Sequence, residues 1–432
     1  MSSTSGVAAM AVGKSTVRWK IFVVMLSLIA INYIDRASLS VAMPLISKEF
    51  EIGPAMEGLI LSSFFWTYAV MQIPGGMLAD RFKPRIVIAS ATVFWGFFQA
   101  IAAMCTNAPS LLLTRLGLGA SEAPIYPAGG KLNAIWMTQT ERGRGATLLD
   151  GGAPLGAALG AILITGLIAV LGSWRLAFAV AGVGTVLAGI LAWFYVRNTP
   201  REHPGVNEQE AAYIEESHAR DAALEPPSLS GRTRDFLKYR SVWGMFFGWM
   251  CFNSVFYGLL TWMPNYLHMV HGFDIKQMGG SSFIIFFSGF IGELFGGWIA
   301  DKWKAAGGRP NTVMRTLFGI AAIVATVSIF SVAYVTNPIA VVALLSTTLF
   351  FLRWCGLYWC IPSALGTRNK IGFLGGFMNL GGNIGGITVP VIVGAIVQLT
   401  HSYFLALMFF AAAGVGLLLC SSAIDYEKKI PV

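Results

Sequence analysis

Charge is what this sequence has least of. Of its 432 residues only 12% are Asp, Glu, Lys or Arg, against 55% hydrophobic, and the mean hydropathy is +0.66. A soluble domain carries about 25% charged residues, so this chain has half the usual solvating surface and reads as an integral membrane protein. Cysteine is scarce too. Its five cysteines (Cys105, Cys251, Cys355, Cys360 and Cys420) fall inside apolar stretches, with no CxxC pair. Neither a disulfide framework nor a metal site is expected from that spacing, and free cysteines of this kind pack as small apolar side chains. No HExxH, no Walker-type GxxxxGK[ST] and no other catalytic signature occurs, and no nucleophile–base set is visible, so an enzyme is not expected. The net charge of +9 is not gathered into a basic face or a recognised nucleic-acid module, so nucleic acid is not an expected partner.

What the chain has in abundance is long apolar runs. Twelve can be marked, at approximately 19–43, 57–80, 86–106, 110–131, 145–171, 174–196, 242–268, 279–301, 312–335, 338–362, 370–398 and 402–424. Each is long enough to cross a bilayer core of about 30 Å at ~1.5 Å per helical residue. Pro124, Pro127 and Pro390 lie inside such runs, which membrane helices tolerate because neighbours re-satisfy the freed backbone. The first run follows Lys14, Arg18 and Lys20. It is too long for a signal-peptide core and no small-residue cleavage site closes it, so a retained first helix is expected.

The few charges that remain fix the orientation. Connections on one side carry Arg81, Lys83 and Arg85, then Arg142 and Arg144, then Lys302, Lys304 and Arg309, then Arg368 and Lys370, with Lys428 and Lys429 in the tail. The opposite loops hold only Lys48, Arg175 and Lys276 as exceptions. The positive-inside rule therefore predicts both termini in the cytoplasm. The segment from about 197 to 240 is polar, with Pro200, Pro204, Pro226, Pro227 and a run of acids from Glu202 to Glu216. It reads as a cytoplasmic linker, with a short amphipathic helix around 208–219, between an N-terminal six-helix bundle (1–196) and a C-terminal one (241–432).

The halves echo each other. Residues 75–83 read GGMLADRFK and residues 296–304 read GGWIADKWK, and Asp80 and Asp301 are 221 residues apart. A weaker echo pairs GGAPLG at 151–156 with GGNIGG at 381–386. Glycine-rich faces are common in membrane helices, so the second echo adds little alone. Internal repeats with a polar site at their junction mark secondary transporters.

The polar residues inside the spans point to the chemistry. A charge at mid-membrane costs roughly 2.5–3.5 kcal/mol even on the lenient insertion scale, yet Asp35 and Arg36 stand side by side in the first run. Arg115 and Glu122 are seven residues apart, and Tyr33 and Arg36 three, so each pair shares a helix face. Two acids and two arginines can pair internally to near neutrality. Protonating an acid would then free an arginine for an anionic substrate, whose carboxylate replaces the lost charge, and each ligand would raise the other's affinity. Two static readings stay open: Asp35–Arg36 as a salt bridge that only locks helices, and Glu122 as a structural partner of Arg115. Arg353 in the tenth span is either a substrate contact or the partner of Glu293 in the eighth or of backbone carbonyls. Asp150 reads as a solvated or capping acid, and His268 and His271 as surface residues near an outer helix end. Asp80, Arg81, Arg85, Asp301 and Lys302 sit at helix exits, where charges are cheap, and read as structural gating groups.

The repeated GxxxD[RK] elements, Gly76–Arg81 and Gly297–Lys302, resemble the loop motif of the major facilitator superfamily, although Lys83, followed by Pro84, stands where a glycine is usual. More narrowly, NYIDRASLSVA (32–42), WTYAVMQIPGG (66–76), RLGLGASEAPIYP (115–127) and GGFMNLGGNIGGITVP (375–390) resemble its anion:cation symporter branch. That branch includes bacterial galactonate, glucarate and hexuronate transporters and the animal sialic acid transporter. The resemblance implies that Asp35 and Glu122 carry protons. It implies that Arg36 and Arg115 bind substrate carboxylate or pair with those acids, that Tyr33, Tyr68 and Trp359 line the site, and that Asn379 and Asn383 contribute from the second half. Ala153, Gly129 and Gly130 replace polar residues common in sugar-acid members.

The expected molecule is an all-α membrane protein of twelve transmembrane helices in two pseudo-symmetric six-helix bundles. Its expected activity is proton-coupled import of a small organic anion, foremost a sugar acid (hexonate, hexarate or hexuronate), by alternating access. The proton gradient is its energy source, without a cofactor, and it is expected to work as a monomer in a bacterial inner membrane, where short outer loops and the lack of an N-x-[ST] site also fit. Trp354, Tyr358 and Trp359 keep an aromatic carboxylate, phthalate- or benzoate-like, as the rival substrate. A sensor, exchanger or channel without proton coupling is the rival mechanism.

Overall fold

The twelve apolar runs become helices because nothing else satisfies a backbone in hydrocarbon. The computed structural model describes residues 14–138, 141–223, 233–366 and 371–430. Arg368 and Lys370 lie outside the described residues, and so do the side chains of Asp80 and Arg142. The first half comprises α1 (Val17–Phe50), α2 (Pro54–Phe82), α3 (Pro84–Ile101), α4 (Ala108–Glu122), α5 (Ile125–Trp136), α6 (Arg142–Leu171) and α7 (Trp174–Tyr195). After α8 (Glu208–Ala223), the second half follows as α9 (Arg240–His271), α10 (Ile275–Ala305), α11 (Pro310–Val332), α12 (Pro338–Leu352), α13 (Ile361–Leu365), α14 (Ile371–Thr400) and α15 (Phe404–Ser422).

Two spans are broken rather than continuous. The fourth is α4 and α5, parted at Ala123–Pro124 because Pro124 and Pro127 bring no N–H to the ladder. The tenth is α12 and α13, joined by an eight-residue 3₁₀ stretch, Arg353–Cys360. A 3₁₀ run of that length inside a helix is uncommon and often marks a hinge. Among the described residues nine helical stretches are long and apolar enough to span by themselves. α2 and α9 are as long, but they carry Trp, Tyr, Ser and Asn along the seam between the halves.

Each half is held by a glycine-lined contact. A Cβ on Gly152 would stand 2.7 Å from the Leu26 carbonyl oxygen, and one on Gly160 would stand 2.9 Å from Ile34 Cα, while Gly156 meets the Ala30 backbone closer still. This small-xxx-small stripe seats α6 on α1. On α14, Gly381 and Gly385 sit against the carbonyls of Phe246 and Met250 of α9 in the same way. The weaker sequence echo falls on these two helix contacts but one residue out of register, since Gly382 and Gly386, the counterparts of Gly152 and Gly156, face the Trp249 and Asn253 side chains and Phe65. The halves meet along α2–α14, where a Cβ on Gly58 would lie 2.6 Å from the Pro390 oxygen, and along α6–α10, where Gly279 faces Thr165.

The linker helix extends four residues beyond the 208–219 expected, and it has a structural task. Thr16 gives the start of α1 no side-chain cap. Glu210 of α8 supplies it from a distance, accepting from the backbone N–H groups of Val17 and Arg18 at 3.1 and 3.2 Å and from Arg18 Nη1 at 2.8 Å. A carboxylate there also answers the positive end of the helix dipole. Arg18 reaches on to Glu141 at 3.0 Å. Burial works against ionisation of Glu141, yet hydrogen bonds from Arg18 and Thr138 outweigh it and hold the carboxyl below its usual range.

Lys83, between α2 and α3, has φ +69°. A side chain in that region costs about 1–3 kcal/mol, which explains physically why glycine suits the position.

Candidate functional site

The centre of the molecule is built outward from one turn of α1. Asn32, Tyr33, Asp35 and Arg36 lie halfway along this 34-residue helix, each 4% exposed or less. Successive residues on a helix point about 100° apart, so Asp35 and Arg36 face different neighbours. That corrects the static Asp35–Arg36 lock as an option. Asp35 turns toward α3 and α7, accepting from Trp95 Nε1 at 3.1 Å and Thr185 Oγ1 at 2.9 Å. Arg36 turns toward α2, α4 and α9.

Arg36 donates from Nε to Glu122 Oε2 at 3.0 Å and from Nη1 to the Tyr257 hydroxyl at 3.4 Å. Its guanidinium carbon lies 4.4–4.7 Å from the ring centres of Phe64, Tyr33 and Tyr68, the cation–π range. Tyr33 also meets Tyr257 hydroxyl to hydroxyl at 3.2 Å, which joins the two halves at this level. Glu122 is the last residue of α4, held where Pro124 stops the helix, and its side chain is fully buried.

Arg115, two turns earlier on the same helix, is 3% exposed, with its guanidinium 5.6 Å from Phe64. The charges of Glu122, Asp35 and Arg36 all reach it. Its Nε and Nη1 have no acceptor among the described residues, and neither has Arg36 Nη2. Buried guanidinium donors left unpaired are costly, and they are what an incoming carboxylate would satisfy. The four charged residues expected to converge do so, with Asp35 in its own hydrogen-bonded niche beside the other three.

The second half contributes an aromatic and amide wall. Trp359 stacks on Tyr126 of α5 at 6.3 Å and 4°, and meets Trp249 at 5.6 Å. The indole N–H groups of Trp249 and Trp359 and the Asn383 amide N–H have no acceptor among the described residues. Asn383 is 2% exposed, and Asn379, one turn before it on α14, is half-buried. Tyr358 is turned away, its hydroxyl 2.6 Å from Ser421.

Arg353 opens the 3₁₀ stretch of the tenth span. Its Nη2 meets Glu293 Oε2 at 2.5 Å and Asp150 Oδ2 at 2.9 Å. The solvated, capping reading of Asp150 is thereby overturned: at 7% exposure it is buried and ion-paired, because α10 and the tenth span close over that part of α6. The helix-exit residues lie elsewhere. Arg81, Asp301 and Lys302 are exposed, with the two cations over Phe82 and Trp298. Arg85 ties α3 to α7, donating to the Trp193 carbonyl at 2.9 Å. The side chain of Asp80 lies outside the described residues.

At the end of the bundle opposite the chain termini, a cavity of about 900 Å³ opens between the halves, lined among others by Lys48, Glu57, Asn265, His271 and Tyr403. Glu57 there accepts from Ser47 Oγ at 2.7 Å and Asn265 Nδ2 at 3.0 Å. Trp95, Thr185 and Tyr257 emerge as site residues only in three dimensions. Each is a single polar tip in an apolar run, which no spacing marks.

Comparisons with known proteins agree with this geometry. The sequence profile of the Major Facilitator Superfamily matches residues 25–390. The chain is 30% identical over 418 residues to the "Probable galactarate/D-glucarate transporter GudP" of Bacillus subtilis, covering 94% of this chain and 91% of that one. It is 29% identical to the "D-galactonate transporter" of Escherichia coli O6:H1, covering 92% and 93%. Among solved structures, a bacterial homolog of the human lysosomal transporter Spinster, inward-facing and occupied, superimposes with a TM-score of 0.69 at 16% identity over 95% of this chain and 97% of that one, a likeness of fold. The chain belongs to the major facilitator superfamily and is a multi-pass membrane transporter, not an enzyme.

Proposed function

We propose that this transporter is a proton-coupled symporter importing a sugar acid of the hexarate, hexonate or hexuronate class across a bacterial inner membrane. In this reading residues 1–196 and 241–432 are two halves that rock about a central site, residues 197–240 link them in the cytoplasm, both termini are cytoplasmic, and the monomer suffices. Its energy source is the proton gradient, without a cofactor. The names of its relatives support the substrate class.

The observation that carries the mechanism is Arg36 held on one edge by Glu122, with free donors on Arg36 and Arg115 beside it. Protonating Glu122 removes the charge that holds Arg36. Its fork then takes the substrate carboxylate in bidentate fashion, and the substrate's charge stands in for the one lost. Proton and anion thereby bind together or not at all. Asp35 acts as the second proton carrier, near enough for its charge to reach Glu122 and Arg115. Tyr33 and Tyr68 fix the plane of the Arg36 guanidinium. Trp359, Asn379 and Asn383 offer hydrogen bonds to substrate hydroxyls from the opposite half. Asp80, Arg81, Arg85, Asp301 and Lys302 serve the gate at the cytoplasmic rim.

The test is uptake of labelled D-glucarate by proteoliposomes holding the full chain under an imposed proton gradient. Asp35→Asn and Glu122→Gln each abolish proton-driven accumulation, while exchange between preloaded vesicles survives in one of them. Full concentrative uptake by both variants overturns the mechanism. The Tyr126–Trp359 stack favours one rival, an aromatic carboxylate. Competition by D-gluconate against benzoate separates the two, and inhibition by benzoate alone reassigns the substrate.

A further inference from the structure

Away from the Arg36 cluster, Asp150, Glu293 and Arg353 form a second buried group that straddles the halves. Asp150 comes from α6, Glu293 from α10, and Arg353 from the 3₁₀ stretch in the tenth span. One guanidinium nitrogen serves both acids, at 2.5 Å from Glu293 Oε2 and 2.9 Å from Asp150 Oδ2, so the two carboxyls lie side by side against it. Glu293 is 3% exposed, and its Oε1 accepts from no donor among the described residues. Two carboxylates against one guanidinium leave an unbalanced negative charge, which is costly in a buried setting. Two carboxyls sharing one buried cation repel each other when both are ionised, and a single proton held by the pair relieves that repulsion.

Among the described residues, Arg353 is the cation that bears on Glu293. Tyr33 of α1 faces Arg353 and Tyr126 of α5 faces Asp150, each within electrostatic reach. Phe252 and Phe256 of α9 cover the guanidinium at 5.5 and 5.0 Å, and Cys355 follows on the 3₁₀ stretch itself. The side chain of Asp150 keeps 10% exposure while those of Glu293 and Arg353 keep 3% and 2%. Asp150 also lies about 12 Å along α6 from its first residue, Arg142, at ~1.5 Å per residue. It is the most exposed member of the group and lies toward the end of the bundle that carries the chain termini.

We propose that Asp150 and Glu293 form a proton-binding site under Arg353, filled when the two halves meet at this level and emptied when they part. Closed, the group holds one proton between its carboxyls and is neutral. As the cytoplasmic side opens, α6 carries Asp150 away, the Glu293–Arg353 pair stays neutral within the second half, and Asp150 becomes a hydrated carboxylate. The proton passes to water. Closure takes one proton up again, so cytoplasmic acidity holds this face shut. The site rests on the alternating-access reading above but on no particular substrate.

Hydrogen–deuterium exchange on the unliganded full chain in nanodiscs tests it, with rates corrected for intrinsic pH dependence, between about pH 6 and about pH 8. Releasing one proton per opening makes the opening equilibrium, read at residues 142–153 and 353–365, rise about tenfold per pH unit wherever the closed site holds its proton and the open one does not. Glu293→Gln and Asp150→Asn, which act from opposite halves, each flatten that slope, and Glu216→Gln, at an exposed position on α8, leaves it in place. Protection independent of pH in the wild-type chain overturns the site, as does an unchanged slope in either variant that folds. Because no substrate is added, a chain that fails to carry D-glucarate defeats the proposed function while this experiment still decides the proton site.

Discussion

At the scale of single residues, the site depends on the shape of a guanidinium as much as on its charge. Arg36 is stacked among three rings while one edge bonds Glu122. An ammonium in its place keeps the charge but cannot present a planar fork. Arg36→Lys is therefore expected to weaken D-glucarate binding tenfold or more, roughly 1.4 kcal/mol or above, with the protein still folded. Ligand-induced thermal shift measures this directly, and an unchanged shift contradicts the role. Sequence spacing is informative here only along one helix. It gave the shared faces of Tyr33 with Arg36 and of Arg115 with Glu122. It could not give Trp95 and Thr185 as the partners of Asp35, nor Asp150 as a partner of Arg353, because those contacts join different helices.

At the scale of elements, glycine stripes decide which helices touch. The Gly152–Gly156–Gly160 stripe lets the α6 backbone reach that of α1, and this contact sets the rotation of α1 that turns Asp35 toward Trp95 and Thr185 and Arg36 toward Glu122. Gly156→Leu is expected to force the two helices apart at a cost of roughly 1–3 kcal/mol or more, seen as a lowered thermal midpoint in detergent. Gly184 on α7 has nothing within 4 Å of where a Cβ would go. Gly184→Leu should leave the midpoint unchanged, and equal losses in both variants would refute the stripe's role. Most spans were legible to within a few residues because hydropathy alone selects them, although α1 runs on to Phe50, beyond the expected end at 43. The 3₁₀ stretch that positions Arg353 was not, since its lone Gly356 is the kind of residue membrane helices commonly hold and the first proline comes only at Pro362.

At the scale of the whole molecule, the asymmetry of Lys and Arg between the two faces predicts cytoplasmic termini. Protease sites fused to both ends are expected to be cut in inside-out vesicles and spared in intact spheroplasts; the reverse pattern inverts the direction of transport. The duplicated GxxxD[RK] element made the two-fold plan readable, and α2 and α10 do carry its copies at equivalent ends.

By itself the sequence determined a twelve-span helical transporter, its repeat and the charged residues too costly to place in a membrane without purpose. Hydropathy and charge act residue by residue, so they need no knowledge of neighbours. Only the tertiary structure decided that Asp35 and Arg36 part company, that Glu122 holds one edge of Arg36, and that Asp150 crosses to Arg353 in the other half. Electrostatic energy depends on distances between helices far apart in the chain, and those distances exist only once the helices have packed.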